Sequence, residues 1–153
     1  MKEQTNWTPM PSQEIVDENF GFIYKLTLPD GRFYIGKKNF WADKKTKKAC
    51  RTKGKIVEPG KKKTVRVHCE TDWKTYFSSG GAIARHISEH GKAGISCEIL
   101  EITPRTGKEG TAGAGFLAFR ELCWQLESGW GLNPKCLNGI IHVRLSPQAA
   151  CRP

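Results

Sequence analysis

The sequence predicts one small domain of the α+β class, interrupted by a long basic insertion. Its 153 residues suffice for a single core of modest size, and a hydrophobic content of 38% is ordinary for a folded chain. Short apolar runs typical of strands alternate with segments of helical periodicity. We therefore expect a single domain at residues 20–145, in which 41–70 is the insertion, with a polar lead-in at 1–19 and a tail at 146–153.

Two strands joined by a tight turn open the domain, at residues 20–28 and 32–36. The connection Pro29-Asp30-Gly31 has the composition of a three-residue hairpin loop. Proline suits the second position of a type I turn, and the glycine accepts a positive φ at the following bulge. The sequence therefore predicts a β-hairpin whose register is set by this loop.

The loop length decides where the two tyrosines of the hairpin project. A three-residue loop pairs Leu26 with Tyr34 and Tyr24 with Gly36, which places both phenols on one face of the sheet. Because Gly36 has no side chain, we expect a bare surface beside Tyr24 that a phosphate could approach. From the pattern alone, two aromatic side chains that simply cover the core are the alternative.

Five further segments complete the predicted domain. They are a short alternating strand at 64–69, a helix at 82–90 that ends at Gly91, a third core strand at 95–102, a long apolar helix at 113–127 and an extended segment at 138–145.

The net charge of +10 is concentrated in one stretch of the chain. Residues 37–66 hold thirteen Lys or Arg and two acidic residues, a balance of +11, which leaves −1 for the rest. This concentration favours a surface that binds nucleic acid, because each neutralised phosphate releases counterions. A lysine-rich loop that only keeps the protein soluble is the alternative. With Trp41 as an aromatic neighbour, the candidate DNA-binding residues are Lys37, Lys38, Lys44, Lys45, Lys47, Lys48, Lys61, Lys62, Lys63 and Arg66.

The composition also indicates the cellular compartment of the protein and the redox state of its cysteines. No apolar run reaches the roughly 18 residues of a membrane span or forms a signal peptide, so we expect a cytoplasmic protein without a membrane partner. The six cysteines include no CxxC pair, and we expect reduced structural thiols. A zinc ion shared by His68 and Cys69 is the alternative, although the ligand spacing typical of zinc sites is missing.

Motifs in three places resemble the signature of the GIY-YIG nuclease family. The segments GFIY, which ends at Tyr24, and YIG, which begins at Tyr34, match its first motif, with Phe22 inserted between the usual glycine and isoleucine. Further along, FRELCW supplies Glu121 and CLNGII supplies Asn138, in the order that the family shows. The resemblance implies a small three-stranded antiparallel sheet flanked by helices, whose first hairpin carries the two signature segments.

The resemblance also implies a metal-dependent endonuclease that hydrolyses DNA phosphodiester bonds, of a phage-like type related to homing enzymes. A phage-encoded member would act in the host-cell cytoplasm. Glu121 is then the ligand of one Mg²⁺ or Mn²⁺ ion. Tyr24 is assigned as the general base for the attacking water, and Tyr34 as the group that orients the water or a phosphate oxygen.

Two more residues are implied by the resemblance. Arg85 is the nearest match to an arginine that binds the scissile phosphate, and Asn138 completes the catalytic set. His86, next to Arg85, is a further candidate as a phosphate contact or proton donor, and a solvated histidine on the helix surface is the alternative. More than forty residues separate YIG from the helix that carries Arg85, which departs from the family pattern. A catalytically inactive nucleic-acid-binding module of the same fold is therefore the alternative function.

The local pattern of the long helix supports the assignment of Glu121. Glu121 lies beside Leu117 and Trp124, so its carboxylate is partly desolvated and gains from a cationic partner. A solvent-facing glutamate that pairs with a lysine is the alternative, and Glu127 fits it better. A helical projection predicts a core-facing stripe, away from Glu121, formed by Phe116, Phe119, Cys123 and Leu126.

Overall fold

The structure, a computed structural model, describes residues 7–49, 51–52, 55–56, 62–105 and 111–139. They fall into two compact units. One comprises the chain up to Phe40 and from Asp72 onward, and the other is Trp41–Thr71. The second unit has nearly the bounds of the lysine-rich stretch. Within the described ranges, no helix is both long and apolar enough to cross a membrane.

The described residues form eight strands and three helices. Strands β4 to β7 belong to the second unit and all other elements to the first. In chain order they are β1 (Trp7–Thr8), α1 (Gln13–Glu18), β2 (Asn19–Thr27), β3 (Phe33–Asn39), β4 (Trp41–Ala49), β5 (Arg51–Thr52), β6 (Lys55–Ile56), β7 (Lys62–Glu70), α2 (Gly81–His90), β8 (Ser96–Pro104) and α3 (Thr111–Glu127).

The sheet of the first unit has the strand order β1-β8-β2-β3. Strands β8, β2 and β3 are antiparallel, but β1 pairs in parallel with β8, so the sheet has four strands and not the three that were expected. Strand β1 has only two residues and lies in a polar segment of the sequence, and tertiary contacts hold it in place. The Trp7 indole packs 5.2 Å from the rings of Phe22 and Tyr24 and donates a hydrogen bond to the Trp73 carbonyl at 2.6 Å. Helix α1, capped by Ser12, also lies in the segment expected to be a loose lead-in.

The β2–β3 hairpin has the predicted register. Leu26 pairs with Tyr34, and Tyr24 pairs with Gly36. Gly31 has a φ of 83°, the positive value that the predicted loop requires. Short-range turn chemistry therefore determines which face of the sheet each tyrosine occupies.

Helix α3 packs on β2 and β3 with a different face from the predicted one. Leu117 is buried, and Gly113 lies so close to Phe20 that a Cβ there would come within 2.7 Å of the ring. The small residue lets the helix approach the sheet on this side, which hydrophobic periodicity alone does not reveal. Glu121, four residues after Leu117, therefore lies on the sheet-facing side. The predicted core stripe is wrong, because three of its four residues are exposed. Phe116 is 39% exposed, Phe119 45% and Leu126 55%.

The second unit contains an antiparallel ribbon formed by β4 and β7, and the name ribbon is used below for these two strands alone. It also contains the short antiparallel pair β5 and β6. The strand predicted at 64–69 lies inside β7, but β4 occupies part of the insertion for which no strand was predicted. Its lysine-rich sequence lacks the apolar alternation that reveals a half-buried strand. At the base of the ribbon Trp41 stacks on His68 with ring centroids 5.3 Å apart, and Asp43 lies 2.9 Å from the His68 ring nitrogen.

The described residues contain no set of ligands for the zinc ion that was considered as an alternative. The thiol of Cys69 donates to the carbonyl of Ala42 at 3.4 Å. No group of three or more His, Cys, Asp or Glu in the described ranges is arranged to hold a metal ion. The segment predicted to be extended at 138–145 lies outside the described residues from 140 onward, as do the tail at 146–153 and Lys61.

Candidate active site

Tyr24 and Tyr34 form the centre of an aromatic cluster on one face of the sheet. Their ring centroids are 6.3 Å apart, with 38° between the ring planes. Tyr24 is only 1% exposed, whereas Tyr34 is half-buried. A Cβ built on Gly36 would come within 2.5 Å of the Tyr24 hydroxyl and 2.8 Å of the Tyr34 ring. The expected bare surface beside Tyr24 is therefore wrong, because the two rings themselves fill the space over this glycine.

The loop before α2 supplies the remaining wall of this cluster. Tyr76 adds a third ring, perpendicular to that of Tyr24, with centroids 6.1 Å apart. A Cβ on Gly80 would lie 2.9 Å from the Tyr34 ring. Ser78 has a φ of 129°, which residues with side chains rarely adopt, and its hydroxyl accepts the Gly80 N–H at 2.9 Å. The same hydroxyl lies close enough to both signature phenols to lower their pKa values, against the larger effect of burial.

Sequence reasoning did not single out Ser78, Tyr76 or Gly80 as site residues. The segment TYFSSGG indicated a serine-containing loop before a helix, and that was the available signal. The positive φ of Ser78 and the contact of Gly80 with a ring on β3 depend on tertiary packing. The loop therefore belongs to the candidate site through contacts between residues more than forty positions apart.

Burial raises the pKa of both signature phenols. For Tyr24 the loss of hydration is the largest cause, and the polar side chain of Ser78 offsets part of this increase in pKa. For Tyr34 burial is again the largest cause, and the negative charge of Glu121 is the next. The Glu121 carboxylate is thus close enough to influence the ionisation of the Tyr34 phenol.

Glu121 reaches from α3 to β3, where its carboxylate, 16% exposed, forms an ion pair with Lys37. The neighbouring Arg120 binds Glu101 of β8 through two hydrogen bonds of 2.7 Å. Trp124 donates its indole N–H to the same carboxylate at 2.7 Å. Charge-assisted bonds of this kind fix the helix against β8, so the carboxylate of Glu121 is held in a defined place.

Asn138 is buried and binds the backbone of β3. Its side-chain oxygen accepts the Ile35 N–H at 2.9 Å, and its nitrogen donates to the Ile35 carbonyl at 2.7 Å. Gln125 of α3 donates to the same carbonyl at 3.2 Å. Because Ile35 separates Tyr34 from Gly36, Asn138 contacts the second signature segment at its centre.

The other predicted site residues lie on α2. Arg85 is exposed, and the ring of His86 packs 4.9 Å from that of His90, one turn later. Ile83 is the residue that anchors this helix in the core. The contacts to the tyrosine pair described above come from the loop before α2, while Arg85 remains accessible from solvent.

Two candidate DNA-binding lysines lie in the first unit. Lys37 pairs with Glu121, while Lys38 pairs with Asp72 at 2.6 Å and lies 3.7 Å from the centre of the Tyr76 ring. The remaining candidates in the described ranges lie on the ribbon. They are Lys44, Lys45, Lys47 and Lys48 on β4 and Lys62, Lys63 and Arg66 on β7.

Comparison with known proteins gave a match over most of the chain. A family model described as "Putative endonuclease segE, GIY-YIG domain" matches residues 3–118, about three quarters of the chain. The matched range includes both signature tyrosines and ends within α3, so that Glu121 and Asn138 lie beyond it. No curated protein and no solved structure gave a match.

Proposed function

The chain belongs to the GIY-YIG nuclease family, and we propose that it is a metal-dependent endonuclease that hydrolyses DNA phosphodiester bonds. The observation that carries this proposal is the convergence of residues distant in sequence. The β2–β3 hairpin presents Tyr24 and Tyr34 on one face, and Glu121 of α3 lies near enough for its charge to raise the pKa of Tyr34.

The surroundings of Glu121 fit a divalent cation. The carboxylate is largely shielded from water and already binds a cation, the ammonium group of Lys37. Mg²⁺ is commonly bound through one or two carboxylates together with phosphates of the substrate, so a single glutamate is a sufficient protein ligand. We assign Mg²⁺ or Mn²⁺ to Glu121. When bound, the ion supplies polarisation of the scissile phosphate and stabilisation of the departing 3′-oxygen.

The burial of the two phenols favours Tyr34 as general base. Tyr24, assigned to this role from the sequence, is 1% exposed, whereas the half-buried Tyr34 can meet a water molecule. In this scheme the Tyr34 phenolate accepts a proton from water while the water oxygen bonds to phosphorus and the bond to the 3′-oxygen breaks. Neutralising the charge of Glu121 would lower the pKa of Tyr34, because that charge is one cause of its elevation. Tyr24 then supports the Tyr34 ring.

The remaining predicted residues take binding and positioning roles in this proposal. The exposed Arg85 is retained as a ligand of the scissile phosphate, with His86 as a further contact from the same helix. Asn138 holds β3 through Ile35 and thereby positions Tyr34. Lys37 and Lys38 would contact the DNA backbone, and such contacts position a substrate without specifying its sequence.

One observation favours a second function, an inactive nucleic-acid-binding module. The Lys37 ammonium already neutralises Glu121, so the carboxylate has a partner without any divalent ion. If this pair persists in the complex with DNA, the fold would bind without cutting.

Nicking of supercoiled plasmid in Mg²⁺ tests the choice. The wild type is compared with Glu121→Gln and with the matched control Glu127→Gln, an exposed glutamate on the same helix. We expect nicking by wild type and control, its loss in EDTA, and a reduction of about 100-fold or more in Glu121→Gln. Binding of plasmid without nicking by the wild type would support the inactive module, and equal nicking by all three proteins would remove Glu121 from the mechanism.

A further inference from the structure

We infer that the ribbon is the principal DNA-docking surface of this chain and that it enters the major groove of duplex DNA. The inference rests on the proposed function, since it takes DNA as the substrate. It goes further by naming the docking element and the groove. Three features of the ribbon carry it: its dimensions, the distribution of its charge along the strands, and the alternation of its lysines.

The dimensions of the ribbon suit a groove. Its two nine-residue strands pair without interruption, from Trp41 with Glu70 to Ala49 with Lys62. At about 3.3 Å per residue the ribbon is roughly 30 Å long, and its two strands lie about 5 Å apart. The major groove of B-DNA, about 12 Å wide, admits a two-stranded ribbon without distortion, while the minor groove, about 6 Å wide, admits strands when the duplex is deformed.

Charge is distributed unevenly along the ribbon. Its two acidic residues, Asp43 and Glu70, lie at the base, and Asp43 is paired there with His68. Beyond the base, residues 44–49 and 62–67 contain seven Lys or Arg and no acid. The part of the ribbon farthest from its base is therefore complementary to a polyanion, whereas the base is not.

Three pairs of consecutive lysines favour insertion of the ribbon into a groove over contact of one ribbon face with a flat surface. The pairs are at 44–45, 47–48 and 62–63. Successive positions of a strand belong to opposite faces, so each pair assigns one lysine position to each face of the ribbon. An element that lies flat on a polyanion needs cations on one face, whereas one between the two phosphate walls of a groove uses both.

Competition between groove ligands tests the groove assignment. The full-length protein is bound to a fluorescent duplex in EDTA, where no cutting occurs, and affinity is followed by anisotropy. Methyl green, which occupies the major groove, should displace the protein, and netropsin, which occupies the minor groove, should not. Displacement by netropsin alone, or by neither ligand, would overturn the inference, as would equal affinity for single strands of the same sequence.

Variants test the ribbon itself. Lys47→Ala/Lys48→Ala should weaken binding and reduce the slope of log affinity against log salt by about 1.8, since each lost phosphate contact removes about 0.9. The control, Lys92→Ala/Lys135→Ala, removes two exposed lysines of the first unit and should leave the slope unchanged. Equal slopes in both variants would contradict the inference. A ribbon variant that loses affinity in a chain that never nicks plasmid would leave the inference standing and defeat the proposed nuclease.

Discussion

The β2–β3 hairpin and the ribbon are both antiparallel pairs of strands, but their surroundings differ. In the first hairpin Ile23, Leu26 and Ile35 are fully buried, and the two tyrosines are packed between the sheet and a loop. The ribbon forms a separate unit, and both Lys44 and Lys45 on it are exposed. Under the proposed function, the first hairpin would act through the placement of a few atoms, whereas the ribbon would act through the number and distribution of its charges. Single substitutions should have large effects in the first and small ones in the second.

The largest effect is expected from Gly36→Ala. The added methyl group would lie 2.5 Å from the Tyr24 hydroxyl and 2.8 Å from the Tyr34 ring, so both phenols would have to move. The nicking rate should fall about 100-fold or more, and the free energy of unfolding by about 1–3 kcal/mol. Gly115→Ala is the control, since a Cβ there meets nothing within 4 Å. Similar nicking rates for the two variants would show that placement of the phenols does not matter.

A second prediction concerns the stability of the protein at alkaline pH, which depends on the buried phenol of Tyr24. Its folded-state pKa is raised by burial, so above pH about 10 the folded chain keeps a proton that the unfolded chain releases. The free energy of unfolding should therefore decrease by about 1.4 kcal/mol per pH unit in that range. Tyr24→Phe should remove this part of the decrease, as measured by urea unfolding at several pH values. Burial raises the pKa of Cys97 to about 11, so both proteins are compared in a Cys97→Ala background. Identical pH dependences would contradict the burial of Tyr24.

A smaller effect is expected at Ser78, where the hydroxyl and the backbone strain can be separated. Ser78→Ala removes the hydroxyl and keeps the strained φ of 129°, whereas Ser78→Gly removes both. The alanine variant should lose about 1 kcal/mol of unfolding free energy, and the glycine variant should be more stable than it by about 1 kcal/mol. Thermal unfolding measures both. An alanine variant at least as stable as the glycine variant would argue against strain at this position.

The smallest effect on stability is expected in the ribbon. Lys47→Ala/Lys48→Ala should change the free energy of unfolding by less than about 0.5 kcal/mol, because the ribbon is a unit separate from the buried core. Urea unfolding provides the comparison with Gly36→Ala. A loss above about 1 kcal/mol would mean that the two hairpins do not differ as described.

The parts of this molecule that the sequence predicts are those determined by neighbouring residues. Pro29-Asp30-Gly31 is sufficient for the register that pairs Tyr24 with Gly36, because a turn acts over a few positions. Strand β1 could not be predicted in the same way, since its pairing depends on contacts of Trp7 with Tyr24 and Trp73.

The side of α3 that faces the sheet shows that prediction from neighbouring residues is limited in the candidate site as well. The hydrophobic pattern selected the face with Phe116 and Phe119, but the close approach of Gly113 to Phe20 turns the opposite side toward the sheet. Glu121 was identified by its motif and by the partial desolvation expected beside Leu117 and Trp124, although the predicted core face of the helix was wrong. For Ser78 the sequence indicated only a serine-containing loop, because the conformation of this residue depends on packing between the loop and the hairpin.

The central claim is that Tyr34 and Glu121 share one site, and the pKa of Tyr34 tests it most directly. The chain has three tyrosines, so Tyr24→Phe/Tyr76→Phe leaves Tyr34 as the single phenol, whose ionisation can be followed by ultraviolet absorbance. Adding Glu121→Gln should lower the pKa of Tyr34, because a negative charge that raises it is removed, and adding Glu127→Gln should not. An unchanged pKa in the Glu121→Gln protein would mean that the carboxylate and the phenol do not meet, and would contradict the site.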